Sequence, residues 1–422
     1  MVPQYPTSAH IGIVGAGAAG LSAAHYLRQA GFEHVTVLER EERVGGKCCS
    51  VPVGSEVHEM GAVMATRDYA TTLELMRAVG ARSGPIEGFH SYGADGTPVE
   101  LFPWFRVPGL LCQVLVHYAW ATRVHYRRIN DPGLAGVHPD LHQPFSQFAR
   151  QHALPSLERA FAPPFTAFGY GFFDEVPAAY VLKYMDLHML EACARPARRV
   201  EWPDGVEGLW QRIAARHDVR TGAAVRRVQR TDRVVVQTDR DVEEFDALIL
   251  TCPLDDALGF LDATPVEHRL LSQIRTYDYR VLLCRIDGLP EGSGFLPANF
   301  LSPHLGHALL WYHRTPGSPL YTVYALADAD MTDADVERTC AADLRSVGGR
   351  LGDVLHIRHW KYFPHVTPEV MDGGFYETLE ALQGSRNTFY AGEVMSFSTV
   401  EQTARYSRDL VERFFSHTTT AA

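Results

Sequence analysis

Six residues near the N-terminus, Gly15-Ala16-Gly17-Ala18-Ala19-Gly20, constrain this chain more than any other feature. His10 to Val14 before them reads as a short buried strand. After them Ala18 to Ala30 reads as a helix with Leu21, Ala24 and Leu27 at helical spacing, stopped by Gly31. Val35 to Leu38 supplies a second strand, so the run has the size of one right-handed crossover. Gly15 permits the tight turn, Gly17 lets a pyrophosphate approach the backbone, and Gly20 lets helix and strand pack closely. The helix start presents free N–H groups and the positive end of its dipole to phosphates. Glu39 ends the second strand nineteen residues after Gly20, where a carboxylate accepts from ribose hydroxyls. A dinucleotide site is expected here.

Which dinucleotide follows from the next residues. Arg40 and then Arg43-Val44-Gly45-Gly46-Lys47 place a glycine pair with cations directly behind the acidic strand end, a pattern typical of FAD enzymes that wrap the pyrophosphate from a second side. Toward the C-terminus, a strand over Asn387 to Tyr390 leads into Ala391-Gly392-Glu393, with Glu393 suited to ribityl or pyrophosphate contacts. Ser398-Thr399-Val400-Glu401 has the form of a capping box, Ser398 at the N-cap and Glu401 at N3. A helix starting there aims the N–H groups of Thr399 and Val400 at the flavin edge that gains negative charge on reduction. Between these ends, a helix over Leu209 to Ala215 and strands over Arg220 to Arg227, Val234 to Gln237 and Ala247 to Thr251 form a further block. The expected fold class is α/β: a glutathione-reductase-like FAD-binding Rossmann domain (residues 1–66, 204–262 and 384–422), a mixed-sheet substrate domain (67–100, 161–203 and 263–383) and a small helical lid (101–160).

Other classes are excluded by bulk properties. A net charge of −11 gives no general attraction to nucleic acid phosphates. The most apolar stretch, Val107 to Trp120, is interrupted by Gln113 and His117 and is too short to span a bilayer. Met1 to His10 lacks the pattern of a secretory signal. The seven cysteines are odd in number and scattered, which fits a reduced cytoplasm. Cys48-Cys49 is expected to be a buried inert pair, because adjacent cysteines close a strained ring. His356, His359 and His365 lack a ligand pattern, so no metal is expected.

Runs outside the nucleotide fingerprint carry a more specific likeness. They are Glu59-Met60-Gly61-Ala62-Val63-Met64, Pro164-Phe165-Thr166-Ala167-Phe168-Gly169-Tyr170-Gly171, Val176 to Tyr184, Tyr362-Phe363-Pro364-His365-Val366, and Arg386 to Phe397. With them, nearly the whole chain resembles the flavin-containing amine oxidase superfamily, and within it the polyenoic fatty acid isomerases that make conjugated linoleic acid. The resemblance implies oxidised FAD that takes a hydride from an allylic carbon through N5 and returns it elsewhere, moving a double bond without net oxidation. It also places Met60 to Met64 against the flavin and adds Val225 and Cys252 to the cofactor-binding set. An allyl cation needs apolar walls, exclusion of water and aromatic faces. Met64, Phe165, Phe168, Tyr170 and Tyr184 are the candidate substrate-lining residues, with Phe172 and Phe173 also considered.

Two departures stand out. The family's arginines near residue 90, suited to a free carboxylate, are replaced by Glu87-Gly88-Phe89-His90, and Cys193 stands where an aromatic residue lies near the tunnel. The expected substrate is a polyunsaturated fatty acid or an acyl or polyene chain, and these departures point to one that is esterified, carrier-bound or otherwise without an exposed carboxylate. Val107 to Arg128, with Arg123, Arg127 and Arg128 at its end, reads as a lid helix that is either solvated or docked on a membrane surface or an acyl carrier. The competing functions are a net oxidase or dehydrogenase, of desaturase or amine oxidase type, and a non-catalytic flavin- or lipid-binding protein. The small residues after Phe397 weaken the amine reading, because amine oxidases usually carry an aromatic residue there.

Overall fold

The computed structural model describes residues 5–86, 88–100, 107–113 and 124–416. Five parallel strands form its first sheet, in the order Thr388–Tyr390, Ala247–Leu250, His10–Val14, His34–Leu38 and Asp218–Arg220. Strands from three distant stretches thus share one sheet. Ile13 pairs with Ile249 on one side and Val37 on the other, and all three are fully buried. Covered on both faces, such strands read as continuous apolar runs.

The helix Ala18–Gln29 lies on this sheet and packs against the C-terminal helix Val400–Phe414. Leu21, Ala24 and Leu27 are fully buried, as their spacing predicts. Gly20 makes the close approach to the strand possible: a Cβ there would sit 1.9 Å from the carbonyl oxygen of Gly15.

Two expectations are corrected. The stretch Arg220 to Arg227 is not one strand: Asp218–Arg220 closes the parallel sheet, and Val225–Arg230 starts a separate antiparallel sheet with Val234–Thr238 and Val242–Phe245. Gly222, at φ +60°, turns the chain between them. The last helix begins at Val400 with Thr399 as its N-cap, the Thr399 hydroxyl accepting from the Gln402 amide at 3.1 Å. Ser398 is therefore not the cap. Glu401 turns away to accept from the Thr71 amide, the Thr72 amide and the Thr72 hydroxyl at 2.8–3.0 Å.

A six-stranded mixed sheet forms the second layer, in the order Arg350–His365, Arg275–Asp287, Leu320–Ala327, Ala308–Tyr312, Ser293–Phe295 and Phe89–Ser91. Its pairs are antiparallel except the last, which is parallel. The helices Phe145–Gln151, Pro155–Thr166, Ala178–Tyr184 and Leu187–Ala194 lie in the stretch between the two halves of the parallel sheet. A small sheet of Ala65–Thr66, Arg199–Glu201 and Gly84–Pro85 joins these parts. Glu87, residues 101–106 of the expected lid and residues 114–123 of its helix lie outside the described residues. Among the described residues no helix is long and apolar enough to cross a membrane.

Candidate functional site

The glycines of the first turn open onto a cleft of about 600 Å³. Gly15, Gly17, Ala18, Ala19, Glu39, Arg40, Gly45, Gly46, Lys47, Val225, Cys252, Gly392, Glu393, Thr399 and Val400 all border it. Ala16, Gly20 and Met60 stand behind the wall. Ala16 is fully buried and gives its N–H to the Glu39 carboxylate at 2.7 Å, whose other oxygen accepts from the Glu41 amide at 2.9 Å. Gly20 is consumed by helix packing, and the fully buried Met60 lends its carbonyl to the Trp360 indole. Gly61 and Val63 face a different cavity, described below.

Backbone meets the cleft from two sides. The Gly45 amide donates to the Ala16 carbonyl at 2.8 Å, and a Cβ on Gly46 would sit 3.2 Å from the Gly17 Cα. Arg43 locks this second loop through the carbonyls of Val44, Gly46 and Cys48 and through Glu41 and Glu207. Cys48 and Cys49 are buried unbridged thiols, both pushed up in pKa by that burial, which suits a packing role. Lys47 and Glu393 face each other across the cleft at 2.8 Å.

Sequence reasoning missed the far wall. Arg358, His359, Trp360, Lys361 and Tyr362, consecutive residues of the strand Arg350–His365, border the cleft.

A second cavity of about 470 Å³ adjoins the cleft, and Ala62, Tyr362, Ser398, Thr399 and Val400 border both. The buried hydroxyl of Ser398, at this junction, has no protein partner. An orphan polar group, two opposed backbone loops and a helix start fit FAD. Met64, Phe168, Tyr170 and Tyr184 line the second cavity. Phe165 does not: it is fully buried behind the wall, its ring 5.6 Å from Tyr170 and 6.2 Å from Tyr184. Phe172 and Phe173 likewise pack away from the lining. Tyr184 stacks on Phe397 at 5.2 Å, and Tyr170 stacks on Tyr362 at 5.8 Å. Burial pushes the phenols of Tyr170, Tyr184 and Tyr362 well above their ordinary value, so they stay neutral. Phe89, His90 and Cys193 border the same cavity, as do Glu100 and Arg199.

Comparison with known proteins follows the same lines. The model of the family described as flavin containing amine oxidoreductase matches residues 18–407. A crystal structure of the CLA-producing fatty acid isomerase from P. acnes superposes with a TM-score of 0.93 at 35% identity, covering 98% of this chain and 100% of that one. The polyenoic fatty acid isomerase of Ptilota filicina is 36% identical over 70 residues, 17% of this chain and 14% of that protein. The FAD-dependent oxidoreductase dpasF of Apiospora sacchari is 25% identical over 92% of this chain and 88% of its own length.

Proposed function

The chain belongs to the flavin containing amine oxidoreductase family and is an FAD-dependent enzyme; from that premise, we propose that it isomerises carbon–carbon double bonds in unsaturated acyl chains. The observation that carries the reading is the junction of the cofactor cleft with a cavity whose walls are mostly aromatic and aliphatic, in a chain 35% identical over nearly its full length to a fatty acid isomerase. When bound, FAD supplies a two-electron acceptor that takes a hydride from an allylic carbon and returns it to another, so the double bond moves with no net oxidation. The chain's own residues prepare the place. Met64, Phe168 and Phe295 keep water from an electron-poor carbon chain. The faces of Tyr170 and Tyr362 favour positive charge, and their neutral phenols offer no strong base to divert it.

Ser398, Thr399 and Val400 at the junction, where amine oxidases usually carry an aromatic residue, argue against an amine substrate. The full-length likeness to an FAD-dependent oxidoreductase favours net oxidation as the second reading. Anaerobic incubation of the holoenzyme with linoleate separates the two. Many turnovers of conjugated product with the flavin still yellow are expected, whereas stoichiometric bleaching followed by arrest would overturn isomerisation.

A further inference from the structure

Three arginines stand close together in sequence where the helix Leu187–Ala194 gives way to the strand Arg199–Glu201. Two of them are satisfied. Arg195 pairs with Glu191 at 2.8 Å, and Arg198 pairs with Asp68 and, at 3.6 Å, with Glu191. Arg199 has no such partner: its buried Nε makes no hydrogen bond, and no carboxylate lies within ion-pair distance of it among the described residues. Its side chain borders the substrate cavity. A half-buried guanidinium without an anion is costly unless a ligand supplies one, and its planar fork matches a carboxylate in two parallel hydrogen bonds.

The placement gives this cation a metric meaning. Arg199 pairs with Thr66 across the small sheet, and Thr66 follows Ala62, at the flavin junction, by four residues. Four residues of chain span at most roughly 14 Å. An anion held at Arg199 therefore shares the cavity that opens onto the junction. Phe89 and His90, on the strand side of the same cavity, offer no permanent cation, which is why the sequence alone suggested a masked headgroup.

We propose that Arg199 binds the free carboxylate of the substrate and so fixes, counting from that end, which carbons reach the flavin. The proposal rests on the acyl-chain reading above and replaces the expectation of an esterified or carrier-bound substrate. Arg199 acts as a specificity-determining residue, holding one end of a chain whose remainder lies along the Phe168 and Tyr170 wall.

Two measurements on the holoenzyme test it. Titration with stearate and with methyl stearate, read by perturbation of the flavin absorbance, requires no chemistry. Wild type should prefer the acid. Arg199→Met should weaken stearate binding by roughly 10- to 100-fold while leaving the ester unchanged, and Arg199→Lys should retain part of the preference. Unchanged acid binding in Arg199→Met, or equal losses for acid and ester, overturns the anchor. In the second measurement, two dienoic acids with the same double-bond positions from the carboxyl end but different lengths should be shifted at the same carbons. Positions that track the methyl end instead overturn it. If neither acid is isomerised, the proposed function fails while the titration still decides the anchor.

Discussion

The ammonium of Lys47 sits 2.8 Å from each carboxylate oxygen of Glu393, although 346 residues separate them in sequence. The pair ties the glycine loop after the second strand to the turn after the last one, and both side chains border the dinucleotide cleft. Lys47→Met leaves an unmatched carboxylate beside the place of an anionic pyrophosphate. FAD affinity should fall by about tenfold, and adding Glu393→Gln should recover part of that loss. Flavin fluorescence quenching during reconstitution of the apoprotein measures both; undiminished affinity in Lys47→Met would show that the pair is only a strut.

Glu39 receives two backbone N–H groups, one from Ala16 in the glycine turn and one from Glu41. Glu39→Gln replaces one acceptor oxygen with a donor, so one of these buried amides loses its partner. The expected cost is about 1–3 kcal/mol, visible as a lower melting temperature of the apoprotein and weaker flavin retention. Equal melting temperatures would mean that the turn holds itself without the carboxylate.

Elements governed by local chemistry were legible in the sequence. The strand His10–Val14, the helix from Ala18 and the glycine pair Gly45-Gly46 announce themselves through period, punctuation and spacing. What stayed hidden depends on long-range packing. Nothing near Phe165 says that its ring lies behind Tyr170 rather than beside it, since both belong to one aromatic run. Trp360 and Tyr362 reach the cofactor cleft only because a sixteen-residue strand with bulged pairing to its neighbour extends that far. Arg199 escaped notice for a related reason. Its value lies in lacking a partner, while Arg195 and Arg198 nearby have theirs.

His365 stacks between Tyr277 at 5.1 Å and Phe363 at 4.9 Å, and burial lowers its pKa from 6.5 to about 4. Between those values the unfolded chain binds a proton that the folded chain refuses. Its contribution to stability is therefore intact above the ordinary histidine value and falls as pH drops toward 4, by up to about 3 kcal/mol. His365→Phe keeps the stack and removes the titration. Urea unfolding of both proteins at about pH 7 and about pH 5 should show the variant gaining on wild type at the lower pH; parallel losses would place the acid sensitivity elsewhere.

Phe168 meets Phe89 and Phe295 edge-on at 6.0 and 6.1 Å, and all three rings border the substrate cavity without touching the dinucleotide cleft. Phe168→Ala therefore opens the apolar wall while leaving the cofactor's contacts in place. An unsaturated chain loses contact area there, and under the proposed isomerisation water gains entry beside the electron-poor carbons. kcat/KM for linoleate should drop by roughly 10- to 100-fold with flavin affinity unchanged. Water that reaches the cation would also leave a trace in the products, as a hydroxylated acid beside the conjugated one, with one flavin left reduced for each molecule so trapped. Mass analysis reads that ratio directly, and clean isomerisation at the wild-type rate would show that Phe168 does not guard the reacting carbons.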